Sequence, residues 1–428
     1  MNKLAICVIL VISLFLASVS CTTQPRSQEE SSSLLTAIAE ETTGPATEEE
    51  PTVTDDLTPT KDETTAPPPI GEDMGEEEII TTEDIPIIIF SASPIDVENI
   101  VSIVVLGNLN PPGHVFPTDH IYFYISRQEK INLTKEIVLY SPGTLNVTKV
   151  NAIEHLQAGI TDYSIELQKG ESLHIRLGHV SSLAEDVFGD TTSFQTWEMT
   201  NEYSTGDETY RWWSKEHNIT LEAGQVIGKV GGNPNQWALD LFLYDLEKTQ
   251  QNIANPERWT KSWYLHGVDP LSYYEDNPVF EQLLELVDRE MSVGERPPYG
   301  SVLQDIPGTA QGCWFLEGVN ETYPEDPHFA LVHDNIRPKF AIISVGNSIR
   351  NLQAETYNFI PQESGLLNRD FRDITADKAT YGFDVERFDG IIIVHMPDSE
   401  TLWIEALSGV GIDPSQWVFS IDKTTFKR

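Results

Sequence analysis

Cysteine is scarce, three in 428 residues. Cys7 lies inside an apolar N-terminal run, Cys21 follows that run, and Cys313 stands alone. The mature fold therefore has no internal disulfide to rely on, and a hydrophobic core must hold it. Cations are few as well: 27 Lys and Arg stand against 67 Asp and Glu, a formal net charge of -40. Nothing basic gathers into a patch that could follow a phosphate backbone, which argues against nucleic acid as a partner. Two catalytic signatures are also missing. There is no G-x-S-x-G nucleophile elbow, and Gly231-Gly232 precedes a strand pattern rather than a helix N-terminus, so the phosphate-loop signature is absent.

The N-terminus carries targeting chemistry. Lys3 supplies a positive charge, Leu4 to Ala17 form an apolar run of signal-peptide length, and Ser18-Val19-Ser20-Cys21 sets small residues before a cysteine. Residues 1–21 resemble a signal peptide ending in a bacterial lipobox, which implies lipidation at Cys21; an uncleaved membrane anchor is the alternative. Either reading places the folded part outside the cytoplasm, anchored to a membrane at the cell surface. Residues 22–84 are Thr, Glu, Pro and Ser with few aromatics, as in EETTGPATEEEPTVTDD. Such a stretch cannot bury enough apolar area to offset chain entropy, and its charges repel, so it reads as a disordered acidic linker.

From residue 85 the pattern turns to short strands. IPIIIFSASP and IVSIVVLGNL are strand-like apolar runs. GHVFPTDHIYFYI then places His114, Asp119 and His120 at the entrance of a segment in which Ile121, Phe123 and Ile125 alternate with Tyr122 and Tyr124. After it come VLYSPGTLNVTKV, SLHIRLGHVSSL, ITLEAGQVIGKVGG and WALDLFLYD, each bounded by Gly, Pro or Asn turn chemistry. The insert from Glu185 to His217 is polar and aromatic without clear periodicity, and reads as a long loop. Its Trp197, Tyr210, Trp212 and Trp213 are expected either to line a ligand groove or to close the open end of the barrel.

Four words in this stretch are diagnostic in their order: His114 with Asp119; Val138, Ser141, Pro142, Gly143 and Leu145; Gly178, His179, Val180 and Ser181; and Gly224, Gln225, Ile227, Gly228, Val230 and Gly231. Their succession resembles the lysostaphin-type (LytM-like) zinc metallopeptidases and their duplicated-hybrid-motif barrel. The resemblance implies that His114 and Asp119 are zinc ligands and that His179 is an imidazole assisting the attacking water. Where the family's closing H-x-H would fall, this chain has Ala238, Leu239 and Asp240. Asp240 can offer zinc an oxygen, so the expected metal set is His114, Asp119 and Asp240, with His179 catalytic. Ala238 offers nothing. Two carboxylates and one imidazole make a weaker Lewis acid, and the extra negative charge raises the pKa of a bound water. His120 qualifies only if it shares a face with Asp119, and neighbours on a strand point to opposite faces. His155, His174, His217 and His266 read as surface or satisfied core residues.

Residues 251–296 read as a helical connection: Asn277-Pro278 has N-cap and N1 character, and Val279, Leu283, Val287 and Met291 recur every fourth residue. Residues 297–428 carry further short strands, GCWFLEGV, HFALVHDNI, KFAIISVG, YGFDV, DGIIIVHM and TLWIEAL, the pattern of a small antiparallel barrel or sandwich. The DIPGTAQGCWF start, with Gly312-x-Trp314, is similar to lipocalin-type barrels. The expected fold class is mainly β: a duplicated-hybrid-motif barrel or sandwich over 85–250, the helical connection, and a second small antiparallel barrel-like domain. The expected function is a surface-anchored lipoprotein whose divergent domain binds a cell-wall or extracellular ligand. The alternatives are an atypical zinc endopeptidase acting on cell-wall peptides or extracellular protein, and a structural or assembly protein.

Overall fold

Alternation of apolar and polar residues builds the first sheet, because successive strand side chains face opposite sides. In this computed structural model the described residues are 89–428 without 126–134, 235, 251, 260–262, 275–276 and 289–299. The signal segment, Cys21 and the acidic linker lie outside them. The first sheet contains β1 (Ser102–Val104), β2 (His120–Tyr124), β3 (Ile137–Tyr140), β4 (Leu145–His155), β5 (Ile160–Lys169), β6 (Leu173–Leu183), β7 (Glu198–Thr205), β8 (Glu208–Leu221), β9 (Val226–Val230) and β10 (Ala238–Asp245). All pairings are antiparallel, in the order β1-β2-β10-β6-β5-β4-β8-β7, with β9 joining the far end of β6 to β3. One face carries Ile121, Phe123, Ile165, Leu167, Ile175, Leu177, Leu239, Leu241 and Leu243 into the main core. Each such side chain contributes about 1.5–3 kcal/mol by leaving water. The opposite face carries the polar groups.

Three expectations are corrected. Ile89 and Phe90 are buried but form no strand; their N–H groups both reach the Tyr273 carbonyl at 3.2 Å. The aromatic insert is not a long loop: after the one-turn α1 (Glu185–Phe188), most of it forms the β7–β8 hairpin that extends the sheet. The helical connection is shorter than its spacing suggests. Its α-helix, α2 (Pro278–Leu284), starts as expected, with Asn277 accepting from the Val279 N–H at 2.9 Å and Pro278 in the first turn. It stops because the next backbone groups are taken by β1: Ile103 donates to the Leu286 carbonyl and accepts from Asp288. Val287 therefore sits in a bridge to Ile103 instead of on a helix face. The rest of the described connection is 3-10 turns at Pro256–Trp259, Trp263–His266 and Pro270–Tyr273.

The second sheet contains β11 (Gly312–Leu316), β12 (Phe329–His333), β13 (Ala341–Val345), β14 (Glu355–Phe359), β15 (Tyr381–Phe383), β16 (Gly390–Asp398), β17 (Thr401–Ser408) and β18 (Thr424–Lys427). It is a meander whose last strand, β18, returns to pair with its first, β11. The remaining seam, between β14 and β15, is spanned by rings: Phe359 and Phe383 are 4.9 Å apart, and Phe371 stands against both at 5.3 and 5.4 Å. The result is a nearly closed barrel. Its interior is filled by Trp314, Phe329, Ile343, Tyr357, Ile392, Ile404, Phe426 and their neighbours. The Arg428 guanidinium lies 4.1 Å over the Trp314 ring and donates to the carbonyls of Ile306, Thr309 and Gln311.

The barrel's outer wall is buried too. Cys313, Phe315, Ala330, Val332 and Ile342 face away from its interior and belong to the same core as the first sheet. Phe315 meets Phe116 at 5.2 Å and Trp259 at 5.5 Å.

Candidate functional site

The polar face of the first sheet presents every second residue of several neighbouring strands. On β2 it presents His120, Tyr122 and Tyr124; on β10, Ala238, Asp240, Phe242 and Tyr244; on β5, Asp162, Ser164 and Glu166; on β4, Asn151, Ile153 and His155. On β6 the alternation gives Arg176 and Gly178, and His179 would fall on the core side. A bulge intervenes: Tyr163 pairs with Val180 and Ile165 with Leu177, so β6 holds one extra residue. His179 takes a φ of +58°, in the left-handed region, and its ring turns onto the polar face while Val180 returns to the core. Gly178 leaves room beside it, since a Cβ there would meet the Asp240 Cβ at 3.3 Å.

These groups form a continuous polar chain across the face. His155 Nε2 lies 3.1 Å from Asp162 Oδ1, and His179 Nδ1 lies 2.8 Å from Asp162 Oδ2. The other nitrogen of His179 faces Asp240 Oδ2 at 3.3 Å, and His120 Nε2 stands 3.6 Å from that same oxygen. His120 Nδ1 is 3.1 Å from Asp119 Oδ1, whose second oxygen accepts from the Tyr244 hydroxyl at 2.8 Å. A carboxylate only accepts, so Nδ1 of both His120 and His179 carries the proton. Gln236 also donates to Asp162. Asp162 and His120 are buried and His179 is 40% exposed, which makes His179 the mouth of the site.

Burial and charge act against each other here. Burial disfavours the His179 imidazolium, but Asp240 and Asp162 outweigh it and push the ring up to about 9. His114 is brought down to about 4, first by burial and then by the neighbouring His120. Burial would raise Asp119 and Asp162, yet the hydrogen bonds from His120 and from His155 and His179 hold both below the usual carboxylate range. Arg176, its guanidinium 3.6 Å over the Phe242 ring, supplies nearby positive charge.

Of the expected residues, His114, Asp119, His179 and Asp240 come together. Asp119 sits in the bend before β2, and the strand's alternation gives the face position to His120. The two Asp119 oxygens accept from His120 and from the Tyr244 hydroxyl, so in this arrangement Asp119 holds the His120 ring in place. His155, expected to be a bland surface or core histidine, is a member of the chain. Asp162, Gln236, Arg176 and Tyr244 went unrecognised in the sequence. The one available signal for Asp162 was its place out of phase with Tyr163, Ile165 and Leu167. The four aromatics of the insert do not share one groove. Tyr210 and Trp212 pair with His155 and Ile153 on the polar face. Trp213 lies on the other face and donates to Glu154 at 2.6 Å, and Trp197 packs on the main core under Lys215.

Each Asp119 oxygen already accepts one hydrogen bond, from His120 and from Tyr244, and keeps a second lone pair. Among the described residues, no group of three or more His, Cys, Asp or Glu side chains is arranged to hold a metal ion. His114 Nδ1, His120 Nε2 and Asp240 Oδ1 are nevertheless buried without a hydrogen-bond partner. No protein-family model, curated protein or solved structure matches the chain.

Proposed function

We propose that this chain is a surface-tethered binding protein. In this reading the polar face of its first sheet is the ligand site of a divergent lysostaphin-type domain that binds a cell-wall peptide or an extracellular protein and leaves it intact. The observation that carries this reading is the position of His179. Both its nitrogens face carboxylates, Asp162 at 2.8 Å and Asp240 at 3.3 Å, so the ring has no free lone pair with which to take a proton from water. Ala238 supplies no second imidazole. The orphaned acceptors at Asp240 and His120 instead suit a ligand that brings N–H donors or positive charge. The test is sedimentation of the purified full chain with insoluble peptidoglycan, beside His179→Ala and Asp240→Ala. Co-sedimentation of the wild type, its loss in both variants, and no release of soluble peptide are expected. Peptide release by the wild type that His179→Ala abolishes overturns the binding reading in favour of the endopeptidase.

A second reading, a divalent metal centre, is favoured by the three unpartnered atoms. His120, backed by Asp119, and His179, backed by Asp162, have the carboxylate-on-Nδ1 arrangement that commonly orients metal-bound imidazoles. In that case His120, Asp240 and His179 or His114 would hold the ion after a shift from the arrangement seen here, which is not itself that of a metal site, and the ion would supply Lewis acidity. Zinc content measured on the wild type and on His120→Ala and Asp119→Asn separates the two. Stoichiometric zinc lost in His120→Ala supports the metal reading, and no zinc after addition removes it.

A further inference from the structure

Residues 317–328, between β11 and β12, leave the barrel and run against the first sheet. Glu325 in this segment is 2% exposed. Its Oε2 accepts the Phe116 N–H at 2.9 Å and its Oε1 accepts the Tyr264 hydroxyl at 2.6 Å, and the Val115 N–H also reaches the carboxyl. The Phe116 ring lies face to face with His328 at 5.5 Å and 6°. Val115 and Phe116 are the centre of the loop that carries His114 and Asp119. Around them the loop is tied to itself, Asn110 to His114 and Gly107 and Asn108 to Thr118. The 115 and 116 amides are buried, and without Glu325 they would lack an acceptor. Two residues before Glu325, Tyr323 meets Tyr203 at 4.9 Å; Tyr203 stacks on Tyr210, and Tyr210 meets His155. The one segment thus holds the loop that carries His114 and Asp119 and reaches His155 through Tyr203 and Tyr210.

We infer that the barrel is part of the candidate site, and that Glu325 is the positioning residue that holds the His114–Asp119 loop against the sheet. That this loop serves a ligand rests on the binding reading above; the positioning itself does not. The groups facing Glu325 are Tyr264, Tyr323, Asp119 and Cys313, with His328 across Phe116, and none of them is a cation paired with the carboxyl. Burial first, and then Asp119, pushes Glu325 up to about 8 against the hydrogen bonds it accepts. The arrangement therefore carries a pH signature that simple packing lacks.

The experiment is amide hydrogen exchange on the full chain, with the ring signals of His114 and His120 followed from about pH 6 to about pH 9. Glu325→Ala is expected to speed exchange at Val115 and Phe116 by roughly tenfold or more, the equivalent of a buried donor left without its acceptor, with β12 and β13 unchanged. Glu325→Gln keeps one acceptor oxygen, and is expected to remain folded and to abolish the inflection near pH 8 in the His114 signal. Unchanged exchange at 115 and 116 in both variants, or a uniform loss of protection across β11–β13, overturns the inference. Peptidoglycan sedimentation of Glu325→Gln is run alongside. If the wild type does not sediment, the binding reading fails while the exchange data still decide the role of Glu325.

Discussion

His179 shows what a single residue costs and supplies. Holding a non-glycine residue in the left-handed region is unfavourable by roughly 1–2 kcal/mol, and such strain persists where the surroundings over-determine it. Here the surroundings are Asp162 and Asp240, which fix both ring nitrogens. The folded imidazole titrates near 9 and the unfolded one near 6.5, so the folded form holds the proton more tightly. Its contribution to stability is fully present below about pH 6.5 and is lost as pH rises through about 9. The ring is partly exposed, and solvent screening keeps that contribution small. His179→Asn, which tolerates the same backbone conformation, is expected to stay within about 1 kcal/mol of the wild type near neutrality and to lose its own part of the slope in this window, leaving the part that the raised Glu325 carboxyl adds up to about pH 8. Urea midpoints at about pH 6 and about pH 10 check both statements, and an equal slope in the variant would remove the ion pairs from the account.

At the scale of elements, the barrel's seam makes the sharpest prediction. β14 and β15 do not pair, and Phe371, fully buried between Phe359 and Phe383, stands in for the missing ladder. Phe371→Ala is expected to cost about 3–5 kcal/mol, and a drop of less than about 1 kcal/mol in chemical unfolding would show that the seam closes by other means. The same elements show which features were legible in the sequence. Strands with period-two alternation, such as β2 and β10, and short continuous apolar runs, such as β12 and β16, were readable, as was the Asn277-Pro278 helix start. β14 was missed because ETYNF alternates too briefly between turns, and β18 because TTFK offers one apolar residue. β7 was missed because EMTNEYST is mostly exposed polar residues, and β8 because its rings lie among polar residues, with Tyr210 and Trp212 facing the polar side of a wide sheet. The site was half legible. The G-H-V-S word located His179, but a bulge set its direction, and the hydrogen bonding of Asp119 depends on Tyr244, 125 residues away.

At the scale of the whole chain, the question is whether the two sheets are separable. The described residues belong to one compact unit, and β11–β13 have no solvent face: one side fills the barrel and the other joins the first sheet's core. Lifting the barrel away would expose Cys313, Phe315, Ala330, Val332 and Ile342, and would strip Phe116, Trp259 and the Val115–Phe116 amides of their partners. Each large side chain so exposed forfeits about 1.5–3 kcal/mol, several times what a surface ion pair returns, so partial unfolding at this junction is disfavoured. Unfolding of the wild type, followed separately by tryptophan fluorescence and by far-ultraviolet circular dichroism, is therefore expected to give coincident single transitions. Phe315→Ala is expected to lower that common midpoint by the equivalent of about 3–5 kcal/mol without splitting it. Two resolved transitions in the wild type would mean that the barrel stands alone, and the site on the first sheet would then have to hold its loop without Glu325.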